Sequence, residues 1–231
     1  YWDASTGFYL NGESTKLKGV CLHSDSGALG AVQNYDAIYR QMTILKDMGV
    51  NAVRTSHNVA SQTFIDVCND IGMLVMEEFF DGWDSPKNGN TNDFSRYFSV
   101  KIDSQNNLVD KKADETWAQF VVDQAVKRDR NSPSIIIWSA GNEIMLATSS
   151  ANYGTIASNI KTWVSSLDSR PLTQGNNMRG STGVLATVDG YMDVIGGNYY
   201  PGSWVNARDK SKPFVATETA SAVSSRGYYA N

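Results

Sequence analysis

An α/β fold of the (β/α)8 type, a TIM barrel cut short after its seventh strand, is what this sequence predicts, on three observations. Strand-like apolar runs alternate with helical stretches of amphipathic period along the chain. The clearest strand, Ile135-Ile136-Ile137-Trp138, is apolar at successive positions, as a strand of a parallel sheet covered on both faces must be. No glycine-rich phosphate loop follows the first strand, which favours a closed barrel over an open nucleotide-binding sheet.

Taken in order, Gly7-Phe8-Tyr9-Leu10-Asn11-Gly12 ends on a turn dipeptide and reads as a hairpin. The first buried strand covers 17–23, and a Gly- and Ser-rich loop covers 24–30. Over 36–48, Ile38, Met42, Leu45 and Met48 recur at helical spacing, and Gly49 stops the helix. A second strand over 51–56 precedes a helix that starts at Ser61, turns Phe64, Ile65, Cys68 and Ile71 inward, and ends at Gly72. The third strand covers 73–79. The stretch 80–113, rich in Asp, Asn, Ser, Lys and Gly, is far longer than an ordinary connection, and such loops in compact domains are usually functional. A helix with Trp117, Phe120 and Val121 leads to the fourth strand, which follows Pro133 and finishes on Asn142-Glu143. Ile156, Ile160, Trp163, Val164 and Leu167 mark the next helix, and 172–176, 193–200 and 213–219 supply strands five to seven. Asn231 arrives before an eighth strand, so 1–231 is expected to be one barrel domain from a larger protein.

Composition narrows the function. A net charge of -4 with scattered Lys and Arg leaves no footprint for nucleic acid, and no apolar run approaches a membrane span. Two cysteines, Cys21 and Cys68, lie in apolar segments and make no disulfide framework. Aromatic residues reach 11%, more than a core of this size needs, and sugar rings stack on aromatic faces.

In a barrel of this kind catalytic groups sit at the C-terminal ends of the strands. Polar residues collect there: His23, then Arg54 to Asn58, Glu77 and Glu78, Asn142-Glu143, Asn176-Asn177, Asn198 to Tyr200, and Glu218. Glu143 alone reads equally well as a cap on the following helix. Seven groups on one face do not, since burying them unpaired would cost roughly 1–3 kcal/mol each. Two carboxylates facing each other across a barrel mouth suit retaining glycoside hydrolysis, in which one is nucleophile and the other acid/base. Glu143 and Glu218 are the candidates. The nucleophile must be ionised, for which Arg54 is the cation at hand, and Asn142 can donate to a sugar hydroxyl.

Lys18-Gly19-Val20-Cys21-Leu22-His23, Gly27-Ala28-Leu29-Gly30-Ala31, Val53-Arg54-Thr55-Ser56-His57-Asn58, Leu74-Val75-Met76-Glu77-Glu78, Ile137-Trp138-Ser139-Ala140-Gly141-Asn142-Glu143-Ile144 and Thr217-Glu218-Thr219-Ala220-Ser221 together resemble the catalytic barrel of glycoside hydrolase family 2. Within that family the likeness is to bacterial β-galactosidases of the streptococcal surface type. The resemblance implies Glu143 as acid/base, Glu218 as nucleophile and Tyr199 as the nucleophile's hydrogen-bond partner. It further implies His23, Arg54, His57, Asn142 and Asn177 as residues of a carbohydrate pocket, with Trp83 as a subsite aromatic. Glu77 reads as a framework carboxylate and Glu78 as a further site candidate. Amino-terminal β-sandwich domains in the parent chain are also implied. The sequence leaves the compartment open, and the resemblance favours a secreted or cell-surface bacterial setting over a cytoplasmic one.

Some members of that family hold Mg²⁺ through a carboxylate and a His just after strand three. Here Phe79-Phe80-Asp81-Gly82-Trp83 offers Asp81 and no His, so neither a metal nor a cofactor is expected. Asn177 stands where related β-galactosidases often carry Asp, which bears on the choice of sugar. The reading is therefore an exo-acting β-galactosidase domain. A β-glucuronidase or β-mannosidase with the same machinery is the rival, although the strand-end loops supply only Arg54 and Arg179 for a uronate. A catalytically silent carbohydrate-binding module is the alternative of another class.

Overall fold

Seven parallel strands form the frame of the molecule in a computed structural model, which describes residues 1–103, 111–146, 152–177, 183–207 and 209–221. A small antiparallel sheet comes first, made of β1 (Trp2–Asp3), β2 (Gly7–Leu10) and β3 (Glu13–Ser14). The parallel sheet then runs β4 (Gly19–Leu22), β5 (Ala52–Thr55), β6 (Leu74–Glu78), β7 (Ile135–Asn142), β8 (Leu172–Asn176), β9 (Ile195–Asn198) and β10 (Phe214–Glu218), each paired with the next in chain order. This is the predicted barrel. Its two outer strands approach one another, for the Cys21 thiol on β4 lies 3.3 Å from the Thr217 carbonyl on β10. No eighth parallel strand occurs among the described residues.

The connecting helices are α1 (Tyr35–Asp47), α2 (Gln62–Ile71), α4 (Trp117–Asp129), α5 (Tyr153–Ser165), α6 (Val184–Tyr191) and α7 (Pro201–Ala207), with a single turn, α3 (Ser95–Phe98), inside the long loop after β6. Their starts follow from side-chain chemistry. Asn34, Ser61 and Thr116 accept the otherwise orphaned N–H groups of Ala37, Phe64 and Gln119. Gly72 ends α2 in the left-handed conformation, at φ 68°. α6 escaped the sequence pattern because its run, with Val188 and Gly190, lacks a sharp amphipathic stripe. None of the described helices is long and apolar enough to cross a membrane.

The strand pleat sorts side chains into two layers, and the alternation of β7 is reset between Ile135 and Ile137, where its register against β6 shifts. Val75, Ile135 and Trp138 join the large cluster under the helices, with Ile65, Val126 and Ile160, whereas Met76, Ile137 and Val194 form a smaller cluster against Trp2. The same alternation separates the two acids of β6. Glu77 turns outward to Arg128 and Asp129 of the α4 end, and Glu78 turns inward to Arg54. Burial and the Asp129 charge push the Glu77 carboxyl well above the usual range, and its Oε1 accepts the Ala60 N–H, so it is a framework group as expected.

The long loop is held by its own aromatic residues. Phe80 stacks on Phe94 at 5.4 Å and meets Phe98 edge-on at 5.1 Å.

Candidate active site

Arg54, at the inner face of β5, organises the polar end of the barrel. Its Nε and Nη2 donate to Glu78 Oε2 at 3.0 and 2.7 Å, its Nη1 donates to Glu218 Oε1 at 2.8 Å, and Nη2 also donates to Asn142 Oδ1 at 2.9 Å. Burial works against this cation, but the carboxylates of Glu78 and Glu218 outweigh it and hold the guanidinium charged. One arginine thus fixes groups from β6, β7 and β10 at once.

Room for that side chain depends on Gly175 of β8. A β-carbon there would lie 2.8 Å from Arg54 Nη2 and 2.9 Å from Asn198 Oδ1. Glycine inside a strand marks such close approaches.

Asn198, fully buried at the end of β9, carries the network to the other carboxylate. Its Nδ2 donates to Glu143 Oε1 at 2.8 Å and to Asn142 Oδ1 at 3.0 Å, while its Oδ1 accepts the Thr217 hydroxyl at 2.5 Å. Glu143 and Glu218 are therefore joined through Asn198, Asn142 and Arg54. Both act on the Tyr199 phenol. The Ser221 contact at 3.0 Å works to lower its pKa, but burial and the two carboxylates prevail and raise it.

The strand ends are shaped to present these groups. The β7–β8 register shifts between Ser139 and Asn142, and the β9–β10 register shifts between Ala216 and Glu218, irregularities that re-aim side chains. Glu143 and Tyr199 have left-handed backbones, φ 44° and 57°, uncommon for residues other than glycine and typical of functional sites.

His57 lies between the carboxylates. Its Nδ1 is 2.7 Å from Glu78 Oε1, its Nε2 is 3.3 Å from Asn142 Nδ2 and 3.7 Å from Glu218 Oε1. A tautomer that donates from Nδ1 to Glu78 leaves Nε2 to accept from Asn142. His23, at the exposed rim, meets the His57 ring edge-on at 5.2 Å. Asn177 follows β8, half-buried, with its Oδ1 unpartnered among the described residues. Arg179 lies outside the described residues.

Two of the expected substrate contacts are corrected. Trp83 is only 1% exposed and packs in the core with Nε1 donating to the Ala140 carbonyl at 2.9 Å, so it presents no ring face to a sugar. Glu78 has no exposed surface, and its oxygens are taken by Arg54, His57 and Ser139. Burial opposes its charge, yet those three partners hold its carboxyl below the usual range. It acts by fixing Arg54 and His57.

The sequence reading passed over Gly175 and Ser139, and noted Asn198 without assigning it to the site. A glycine in the middle of β8 was the available signal for the first. Asp81, considered as a metal ligand, instead pairs with Lys87 Nζ at 2.5 Å, and no cluster of three metal-binding side chains occurs among the described residues.

Comparison with known proteins bears on the family and the fold. Residues 4–231 match the family described as glycosyl hydrolases family 2, TIM barrel domain. The chain is 35% identical to the β-galactosidase BoGH2A of Bacteroides ovatus, over 98% of this chain and 28% of that protein. It is 33% identical to a β-glucuronidase of Streptococcus agalactiae, over 59% of this chain and 22% of that protein. A crystal structure of a glycosyl hydrolase family 2 member from Bacteroides cellulosilyticus superposes with a TM-score of 0.74 at 35% identity, covering 87% of this chain and 24% of that one. The chain thus spans between 22% and 28% of the length of these relatives. With a matched barrel over nearly its whole length, it belongs to glycosyl hydrolase family 2.

Proposed function

We propose that this domain hydrolyses terminal β-galactosides by double displacement. The observation that carries the reading is the continuous hydrogen-bonded path from Glu143 through Asn198, Asn142 and Arg54 to Glu218, which gathers the acids of β7 and β10 at one mouth. Glu218, paired with Arg54, is the nucleophile that attacks the anomeric carbon. Glu143 gives its proton to the departing oxygen and then takes one from the water that displaces Glu218 from the anomeric carbon. It thus switches from acid to base while Glu218 leaves as the carboxylate, and two inversions give retention of configuration. His57, Tyr199, His23 and Asn177 surround the sugar. Asn142, whose amide oxygen accepts from Arg54 and Asn198 and whose amide nitrogen is engaged by Asp81 and His57, meets a ring hydroxyl by exchanging one of these partners for it.

The choice of galactoside over uronide has support in charge. Among the described residues at the mouth, Arg54 and Lys87 are each already paired with carboxylates, so neither is left over for a substrate carboxylate. The name of the Bacteroides ovatus relative points the same way, whereas that of the Streptococcus agalactiae relative points to the glucuronide, so the preference for galactose rests on charge. The remaining length of the relatives fits a parent protein with further domains, β-sandwiches among them, at the amino-terminal side.

A panel of nitrophenyl β-glycosides, assayed with the full chain, tests this. Fastest release from the β-galactoside with a β-configured first product is expected. Preference for the glucuronide would overturn the sugar, and an inverted first product would overturn the mechanism.

A further inference from the structure

Glu143 is reached through a peptide held at both of its polar ends. Its own N–H donates to the Gly175 carbonyl at 2.7 Å, and the Asn142 carbonyl, the other end of that peptide, accepts from Lys87 Nζ at 3.1 Å. Lys87 comes from the long loop after β6, and its side chain is only 9% exposed. The same ammonium bonds Asp81 Oδ1 at 2.5 Å, and that oxygen in turn accepts from Asn142 Nδ2 at 3.1 Å. The Asp81 carbonyl accepts the Asn142 N–H at 2.9 Å. Every polar group of Asn142 except Oδ1 is thereby engaged from the loop side or by His57.

We propose that Lys87 is a positioning residue for the acid/base Glu143, holding the Asn142–Glu143 peptide so that the left-handed turn at Glu143 aims its carboxyl at the departing oxygen. A buried ammonium is costly unless it is paired and hydrogen-bonded, and here one partner is the Asn142 carbonyl at the end of β7 and the other is Asp81, which itself accepts from the Asn142 side chain. The left-handed backbone at Glu143 is an unfavourable conformation for a glutamate, which persists only where its surroundings enforce it. Lys87 is that enforcement on the carbonyl side, as Gly175 is on the amide side. Geometry within a fraction of an ångström decides whether a general acid works, so a released peptide loses proton transfer before it loses sugar binding.

The inference rests on Glu143 being the acid/base. The test uses the full chain with two galactosides, one with an activated dinitrophenyl leaving group that departs without a proton and one with an unactivated alkyl group that needs it. Lys87→Met is expected to lower kcat on the alkyl galactoside about 100-fold, within the span of general acid catalysis, while KM moves less than about threefold. Bond cleavage in the dinitrophenyl substrate is expected to stay within about threefold in a single turnover. Added azide is expected to speed the steady-state release and yield a galactosyl azide. Lys87→Arg, which keeps a cation, is expected to recover about a tenth or more of the lost rate. Asp81→Asn, at a half-exposed side chain, is the second probe should Lys87→Met fold poorly, and it is expected to show the same bias toward the activated substrate. Glu143→Gln separates the two levels of the argument. If Glu143→Gln discriminates between the leaving groups and neither Lys87→Met nor Asp81→Asn does, the role of Lys87 is wrong and that of Glu143 stands. If Glu143→Gln itself shows equal loss on both, the acid/base assignment and this inference fall together.

Discussion

Gly175 and Arg54 are neighbours by necessity: the space where a β-carbon on Gly175 would stand is 2.8 Å from Arg54 Nη2, 2.9 Å from Asn198 Oδ1 and 3.1 Å from Thr217 Oγ1. A guanidinium normally swings aside, but this one is pinned to Glu78 and Glu218. Gly175→Ala is therefore expected to lower kcat/KM at least about 100-fold and to destabilise the fold by about 1–3 kcal/mol, the usual penalty of overpacking. Chemical denaturation and steady-state kinetics measure both; wild-type values for each would show that the network tolerates the methyl group.

Glu218→Gln keeps the size of the proposed nucleophile and removes its charge. Turnover should fall by about 10⁴-fold or more on every substrate, activated or not, because no covalent intermediate forms. Mass spectrometry with a 2-fluoro galactoside should label wild type at Glu218 and leave the variant unlabelled. A label on another carboxylate would reassign the nucleophile.

Asn198→Ala removes the amide shared by Glu143, Asn142 and Thr217, all of which it bonds from a fully buried position. Unmet buried polar groups cost about 1–3 kcal/mol each, and a loss of about 2–4 kcal/mol is expected in urea unfolding. Activity should drop as well, since both ends of the path lose alignment. A variant of unchanged stability would mean that water or neighbouring groups replace the amide without penalty.

Asp189, on α6, gives a pH signature. Burial raises its pKa from 3.8 to about 6, with Lys212 working the other way and Asp209 adding to the rise. A carboxyl whose pKa is higher folded than unfolded binds more protons in the native state between those two values. Stability attributable to it therefore falls as pH climbs from about 4 to about 6 and is level above, a change of about 2–3 kcal/mol at most. Subtracting the Asp189→Asn profile from that of wild type isolates the contribution. A difference curve that is flat over this window would refute it.

The frame of the barrel was open to reading because parallel strands and their covering helices obey periods of about two and 3.6, and Ile135 to Trp138 or the stripe of Ile156, Ile160 and Val164 announce themselves. Arg54, Glu143 and Glu218 were legible for a related reason, since the rule that strand ends carry chemistry depends only on knowing where strands stop. Depth was not. Glu78 and Trp83 both lie beside the pocket in sequence terms, yet one is sealed behind Arg54 and the other beneath β7, and nothing in a residue's type says which way a loop folds over it. Lys87 was hidden for the same reason, as one polar residue among many in a long loop. The α6 helix was missed because its register of apolar residues is interrupted by Asp189 and Gly190.

The trio Glu78, Arg54 and Glu218 has an electrostatic consequence beyond alignment. A single guanidinium is shared by two carboxylates, so the cluster bears one negative charge in excess, and it does so where solvent is scarce. Such a pocket is a trap for a positively charged ring. A protonated iminosugar would find there the field that an oxocarbenium ion meets for an instant, and would hold it for as long as it stayed.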